Sequence, residues 1–225
     1  MKKEIKDFIT GLSVLLLYLL SSFISTIILS ILHIDISNLS KFQKIIYNIS
    51  FELILILIIT FTYRKTIIKD IKNFKNCHFT NYIRYWLIAL ILMIISNILI
   101  NTFIGIDTSS NQEIIVETFK KAPIFTTILT ILFAPLLEEL VFRLSFRKMF
   151  KTNNLFIIIS GLFFGFMHVS NPNSLLELIY IIPYSIPGII FAYTLTKSNN
   201  IFVPIGLHFI HNSVMTLFQI ILLFI

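Results

Sequence analysis

The chain has 225 residues, is 56% hydrophobic, and carries 18 Lys and Arg against 11 Asp and Glu, a net charge of +7. Its mean hydropathy of +0.90 excludes a soluble globular domain and predicts a polytopic membrane protein. Cys77 is the only cysteine, which excludes a disulfide framework and a cysteine metal site.

In chain order, apolar segments cover about 8–32, 45–63, 82–104, 124–146, 155–169, 175–196 and 201–224. Most are long enough to cross the roughly 30 Å hydrocarbon core as helices. The predicted fold is therefore an all-α, polytopic transmembrane helix bundle of about seven spans, the last four forming a block that holds most of the unusual polar residues. The first segment follows Met1-Lys2-Lys3 and has no small-residue cleavage site, so it is expected to be an uncleaved span. The 155–169 segment is short and needs tilt, extension or shielding by neighbours.

The basic residues punctuate these segments and form no patch beside stacking aromatics, so they read as topology signals rather than a nucleic-acid surface. Thirteen of them flank one side, including Lys2, Lys3, Lys6, the 64–75 run and Arg147–Lys151. Lys41, Lys44, Lys120 and Lys121 flank the other, and Arg143 lies within the membrane. The bias predicts a multi-pass protein of the cell membrane with a cytoplasmic N-terminus. The 105–123 loop is the clearest break. It divides an N-terminal region of three spans (1–119) from a unit at 120–217, with 218–225 ending the last span.

Three groups of polar residues stand where lipid should be the solvent. The first is Glu138-Glu139-Leu140-Val141-Phe142-Arg143. Each such charge costs roughly 2.5–3.5 kcal/mol near a bilayer centre and by default marks function. Glu139 and Arg143 are i,i+4 neighbours and are expected to pair. Glu138 is rotated about 100° away and stays available for proton transfer. Pro135 is expected to interrupt the helix, and a restart there would put both glutamates in its first turn. The second group is Phe164-x-x-x-His168, where Gly161 and Gly165 form a small-xxx-small pair that lets helices approach closely. The third is His208-Phe209-Ile210-His211-Asn212. His208 and Asn212 share a face and suit an oxyanion; spacing alone does not choose between the two histidines.

These residues resemble the CAAX-protease and bacteriocin-processing (CPBP, or Abi) family of intramembrane proteases. Its motifs EExxxR, FxxxH and HxxxN stand here in order as Glu138-Glu139-x-x-x-Arg143, Phe164-x-x-x-His168 and His208-x-x-x-Asn212, within about 120–217. Leu144 departs from the glycine that often follows the arginine, and the first three spans carry no family motif. The resemblance implies an endopeptidase acting on a membrane-associated peptide or protein, with peptide maturation, bacteriocin processing or self-immunity as roles. It implies that Glu138 and His168 hold and deprotonate the attacking water, and that His208 and Asn212 stabilise the oxyanion. Glu139 and Arg143 support them, and His211 becomes a packing residue. Family members are commonly labelled metalloproteases, which would place Zn²⁺ on Glu138, His168 and His208; a glutamate-activated water suits the same residues without metal.

Two other functions compete. A non-catalytic bacteriocin-immunity or scaffold protein would have no need of all six polar residues. A transporter or proton relay is encouraged by Glu52 in the second segment and opposed by the lack of an inverted repeat.

Overall fold

The computed structural model describes residues 1–224, with side chains through residue 221. Among the described residues there is no strand. The helices are α1 (Lys2–Leu19), α2 (Ser21–Ile31), α3 (Lys41–Thr62), α4 (Arg64–Asn73), α5 (Thr80–Ile104), α6 (Ser110–Lys121), α7 (Pro123–Met149), α8 (Asn153–Met167), α9 (Leu175–Ser198) and α10 (Phe202–Phe224).

Four of them are long and apolar enough to cross a membrane: α3, α5, α7 and α9. The bent pair α1–α2, kinked by 59°, makes a fifth. The expectation of seven spans is corrected to about five. Helix α8 has 15 residues, roughly 22 Å of rise, which falls short of the hydrocarbon core. Helix α10 runs to the limit of the described residues and stands outside that count.

Local chemistry sets the helix ends. Ser40 and Gln43 form a reciprocal capping box at the start of α3, satisfying donors that would otherwise be orphaned. Gly105 closes α5 at φ +73°, the left-handed conformation glycine adopts without strain. Ser109 caps α6 by accepting the Gln112 N–H. The turn into α10 is held from a distance: Asp70 accepts the Ile201 N–H at 2.9 Å, and the Asn200 amide donates to the Asp70 carbonyl at 2.7 Å.

Bundle packing follows the apolar faces. The main core joins α1, α3, α7, α8 and α9 through Leu15, Ile59, Leu140, Phe142, Phe156 and Ala192. The other faces of α3 and α5 expose Leu53, Ile54, Leu57, Ile91 and Ile95, as helices in contact with lipid should. Helices α8 and α9 pack in close contact. A Cβ on Gly161 would lie 2.7 Å from the Ile189 nitrogen, and one on Gly165 would lie 2.8 Å from the Ile181 carbonyl. Only glycine permits that approach. The small-residue pair therefore docks α8 on α9, which fixes where His168, one turn beyond, can reach.

Candidate active site

Helix α7 carries the first polar group and is not a regular α-helix. Ala134–Glu138 is flanked by π-helical stretches at Leu129–Phe133 and Glu139–Ser145. The backbone at Phe133 (φ −76°, ψ −46°) and Ala134 (φ −59°, ψ −52°) stays right-handed. The helix does not restart at Pro135, and the two glutamates are not at a free N-terminus. The chain absorbs the proline by widening its winding, a device that recurs at functional sites.

That winding leaves one carbonyl without a partner in its own helix. In the π register Ala134 donates to the Leu129 carbonyl. The next donor in sequence would serve Thr130, but it is Pro135, which has no N–H. The Asn212 amide of α10 fills the place, donating Nδ2–H to the Thr130 carbonyl at 2.8 Å. One amide hydrogen of Asn212 is thereby used and the other remains.

Glu139 and Arg143 are fully buried and paired as their spacing predicts. Arg143 donates from Nε to Glu139 Oε2 at 2.8 Å and from Nη2 to Oε1 at 3.2 Å. Its Nη1 reaches α8, donating to Ser160 Oγ at 2.7 Å, and the guanidinium lies 4.9 Å from the centre of the Phe164 ring. His208 Nδ1 lies 3.0 Å from Glu139 Oε1. Glu139 thus binds α10 as well, and three helices meet on the Glu139–Arg143 pair, with both carboxylate oxygens bonded.

Glu138 is the contrast. Neither of its oxygens has a hydrogen-bond partner among the described residues, and Oε2 is buried as well. It lines a cavity of about 590 Å³ together with His168, His208, His211 and Asn212. His168 caps α8, and its Nδ1 lies 2.9 Å from the Phe164 carbonyl. A carbonyl only accepts, so Nδ1 carries the proton and the neutral ring keeps its lone pair on Nε2. The Phe-x-x-x-His spacing fixes the tautomer as well as the position.

The structure thus brings all six polar motif residues to one locus, Glu139 and Arg143 in the wall and the other four on the cavity. It also adds residues that no motif indicated. Tyr184 of α9 stacks on His168 with ring centres 4.8 Å apart, and its hydroxyl is 2.8 Å from Ser109 Oγ. Phe191 stacks on His208 at 5.0 Å. Tyr18 and Glu52 line the cavity from the N-terminal region. The charge of Glu52 inside an apolar segment was the one signal available for this group. His211, expected to be a packing residue, reaches the cavity with Nδ1 unpartnered.

A zinc site needs at least three donors converging at about 2 Å. Among the described residues no three His, Cys, Asp or Glu side chains converge in that way. Glu139 is committed to Arg143 and His208, so it is not a spare ligand. The arrangement does not fit a three-ligand metal centre.

Residues 120–214 match the family model described as Type II CAAX prenyl endopeptidase Rce1-like. The chain is 29% identical over 231 residues to the membrane-embedded CAAX protease MroQ of Staphylococcus aureus, covering 93% of this chain and 89% of that protein. It is 27% identical over 115 residues to YdiL of Bacillus subtilis, named as a membrane peptidase, covering 50% of this chain and 44% of the relative. It is 34% identical over 105 residues to a protein of Mycoplasma capricolum, covering 43% of this chain and 30% of that one. The match thus spans less than half the length of two of these relatives. No solved structure matches. The family model over residues 120–214 and the relatives named as membrane peptidase and CAAX protease together support a place for this chain in the CAAX-protease and bacteriocin-processing family of membrane proteases.

Proposed function

We propose that this protein is an intramembrane endopeptidase of the cell membrane, with a cytoplasmic N-terminus and its protease unit in residues 120–217. Its substrate is a membrane-associated peptide or protein, cleaved in peptide maturation or self-immunity. The observation that carries this reading is the division between adjacent carboxylates. Both oxygens of Glu139 are paired, with Arg143 and His208, whereas Glu138 is half-buried on the cavity that His168 also lines, its Oε2 buried and neither oxygen partnered. A carboxylate left unpaired inside a bundle is costly, and its use is proton transfer.

In this mechanism Glu138 and Nε2 of His168 hold a water molecule. Glu138 takes its proton as the oxygen attacks the scissile carbonyl carbon. The remaining N–H of Asn212 donates to the resulting oxyanion. His208 keeps Nδ1–H on Glu139 and adds a second donor from Nε2 when the ring carries both protons. The carbon–nitrogen bond then breaks, and the proton held by Glu138 passes to the leaving amine.

The test compares membrane-peptide products in cells making the wild type, Glu138→Ala or His168→Ala at matched levels. Each substitution is expected to lower processing by at least about 100-fold, the lower end of general-base contributions. Equal processing by all three would overturn the reading.

A further inference from the structure

The cavity holds more acceptors than the mechanism uses. Helix α3 contributes Glu52, which lies 10 residues before Thr62 and 11 after Lys41, the middle of a membrane-length helix. A charge at that depth normally has a partner within the protein. Among the described residues Glu52 makes no hydrogen bond and no ion pair, and it faces the same cavity as Glu138.

The rest of the lining has the same sign. Glu52, Asp107 and Glu138 are on the cavity, and no lysine or arginine is, in a chain where basic residues outnumber acidic ones by 18 to 11. Arg143, the basic residue of the motifs, is fully buried in the wall and committed to Glu139 and Ser160. An independent observation points to a ligand: His211 is 8% exposed, lies on the cavity, and has no partner for Nδ1. A space lined by carboxylates and unsatisfied ring nitrogen, and lacking any fixed cation, is completed by an occupant that brings N–H donors and positive charge.

We propose that Glu52 determines specificity in this cavity by accepting a Lys or Arg side chain of the peptide substrate, a few residues from the scissile bond. This rests on the endopeptidase reading and adds the chemical class of the substrate. The cation supplies the donors that Glu52 lacks, and a mid-membrane carboxylate gains the partner that its own helix bundle withholds. The N-terminal region, which carries no family motif, then sets selection while residues 120–217 carry the chemistry.

The experiment is peptidomics of membranes from cells making the full-length wild type, Glu138→Gln, Glu52→Asp, Glu52→Gln or Glu52→Lys at matched accumulation. Peptides that depend on Glu138 define the cleavage sites. The wild type is expected to show Lys or Arg near those sites at one position, at odds roughly tenfold above background, the lower end of the worth of a hydrogen bond to a charged group. Glu52→Asp retains the enrichment, Glu52→Gln brings it to background, and Glu52→Lys drives it below background. Background frequency in the wild type, or enrichment unchanged in Glu52→Gln, overturns the assignment to Glu52 and leaves the endopeptidase reading intact. An absence of any Glu138-dependent peptide overturns both.

Discussion

Asn212 donates to the carbonyl of Thr130 at 2.8 Å, the carbonyl for which Pro135 has no N–H in the π register. A proline in one helix thus fixes the orientation of a cavity-lining amide on another. Pro135→Ala supplies the missing donor and lets α7 satisfy Thr130 internally. The variant is expected to be as stable as the wild type or more so, because an interior proline costs a helix about 3 kcal/mol. Activity is expected to fall several-fold as Asn212 loses its anchor. Thermal unfolding in detergent and product formation, measured together, check this; loss of stability in Pro135→Ala would contradict it.

The Glu139–Arg143–His208 group ties α7, α8 and α10 together with no exposed surface on Glu139 or Arg143. Arg143→Ala leaves a buried carboxylate without its cation and is expected to cost about 3–5 kcal/mol. Arg143→Lys cannot span Glu139 and Ser160 at once and should lie between the two. Half-life in detergent at fixed temperature orders the three proteins.

The polar residues and their sharing of one site were legible in the sequence, because charge inside an apolar segment is expensive and each motif has helical spacing. The pairing of Glu139 rather than Glu138 with Arg143 followed from i,i+4 geometry alone. The response of α7 to Pro135 was not legible: a proline permits a break, a kink or a wider winding, and the choice depends on a donor in α10, 82 residues away. Tyr184 and Ser160 were hidden for the same reason, since a lone hydroxyl has no sequence period to betray it. The number of spans was over-read because apolarity measures burial as well as lipid contact. Helix α8 is apolar yet too short to cross, and it packs closely on α9 through its glycines.

Tyr184 supports His168 by stacking and ties it to the start of α6 through Ser109. Tyr184→Phe keeps the ring and removes the hydroxyl. It is expected to lower kcat a few-fold with KM little changed, and Ser109→Ala should match it without adding to it in the double variant, as residues sharing one interaction do. Additive losses would show that the two act separately.

Gly165 faces the Ile181 carbonyl and Ser185 across the α8–α9 contact. Gly165→Leu must push the helices apart and carry His168 with them. A loss of about 1–3 kcal/mol is expected, from overpacking, with activity lost in the protein that still folds. An equivalent effect from Leu162→Ala, on the exposed face of the same helix, would contradict this localisation.

Water activation by Glu138 is tested most directly by comparing the membrane peptidomes of cells making the wild type or Glu138→Gln. The substitution keeps the side chain's size, removes its charge and turns one acceptor oxygen into an NH2 donor, so it cannot take a proton from water. A carboxylate with no partner destabilises the bundle that buries it, so Glu138→Gln should accumulate and resist heat at least as well as the wild type. The expected result is a set of cleaved peptides present with the wild type and absent with Glu138→Gln, at equal protein levels. An identical set from both proteins would contradict it.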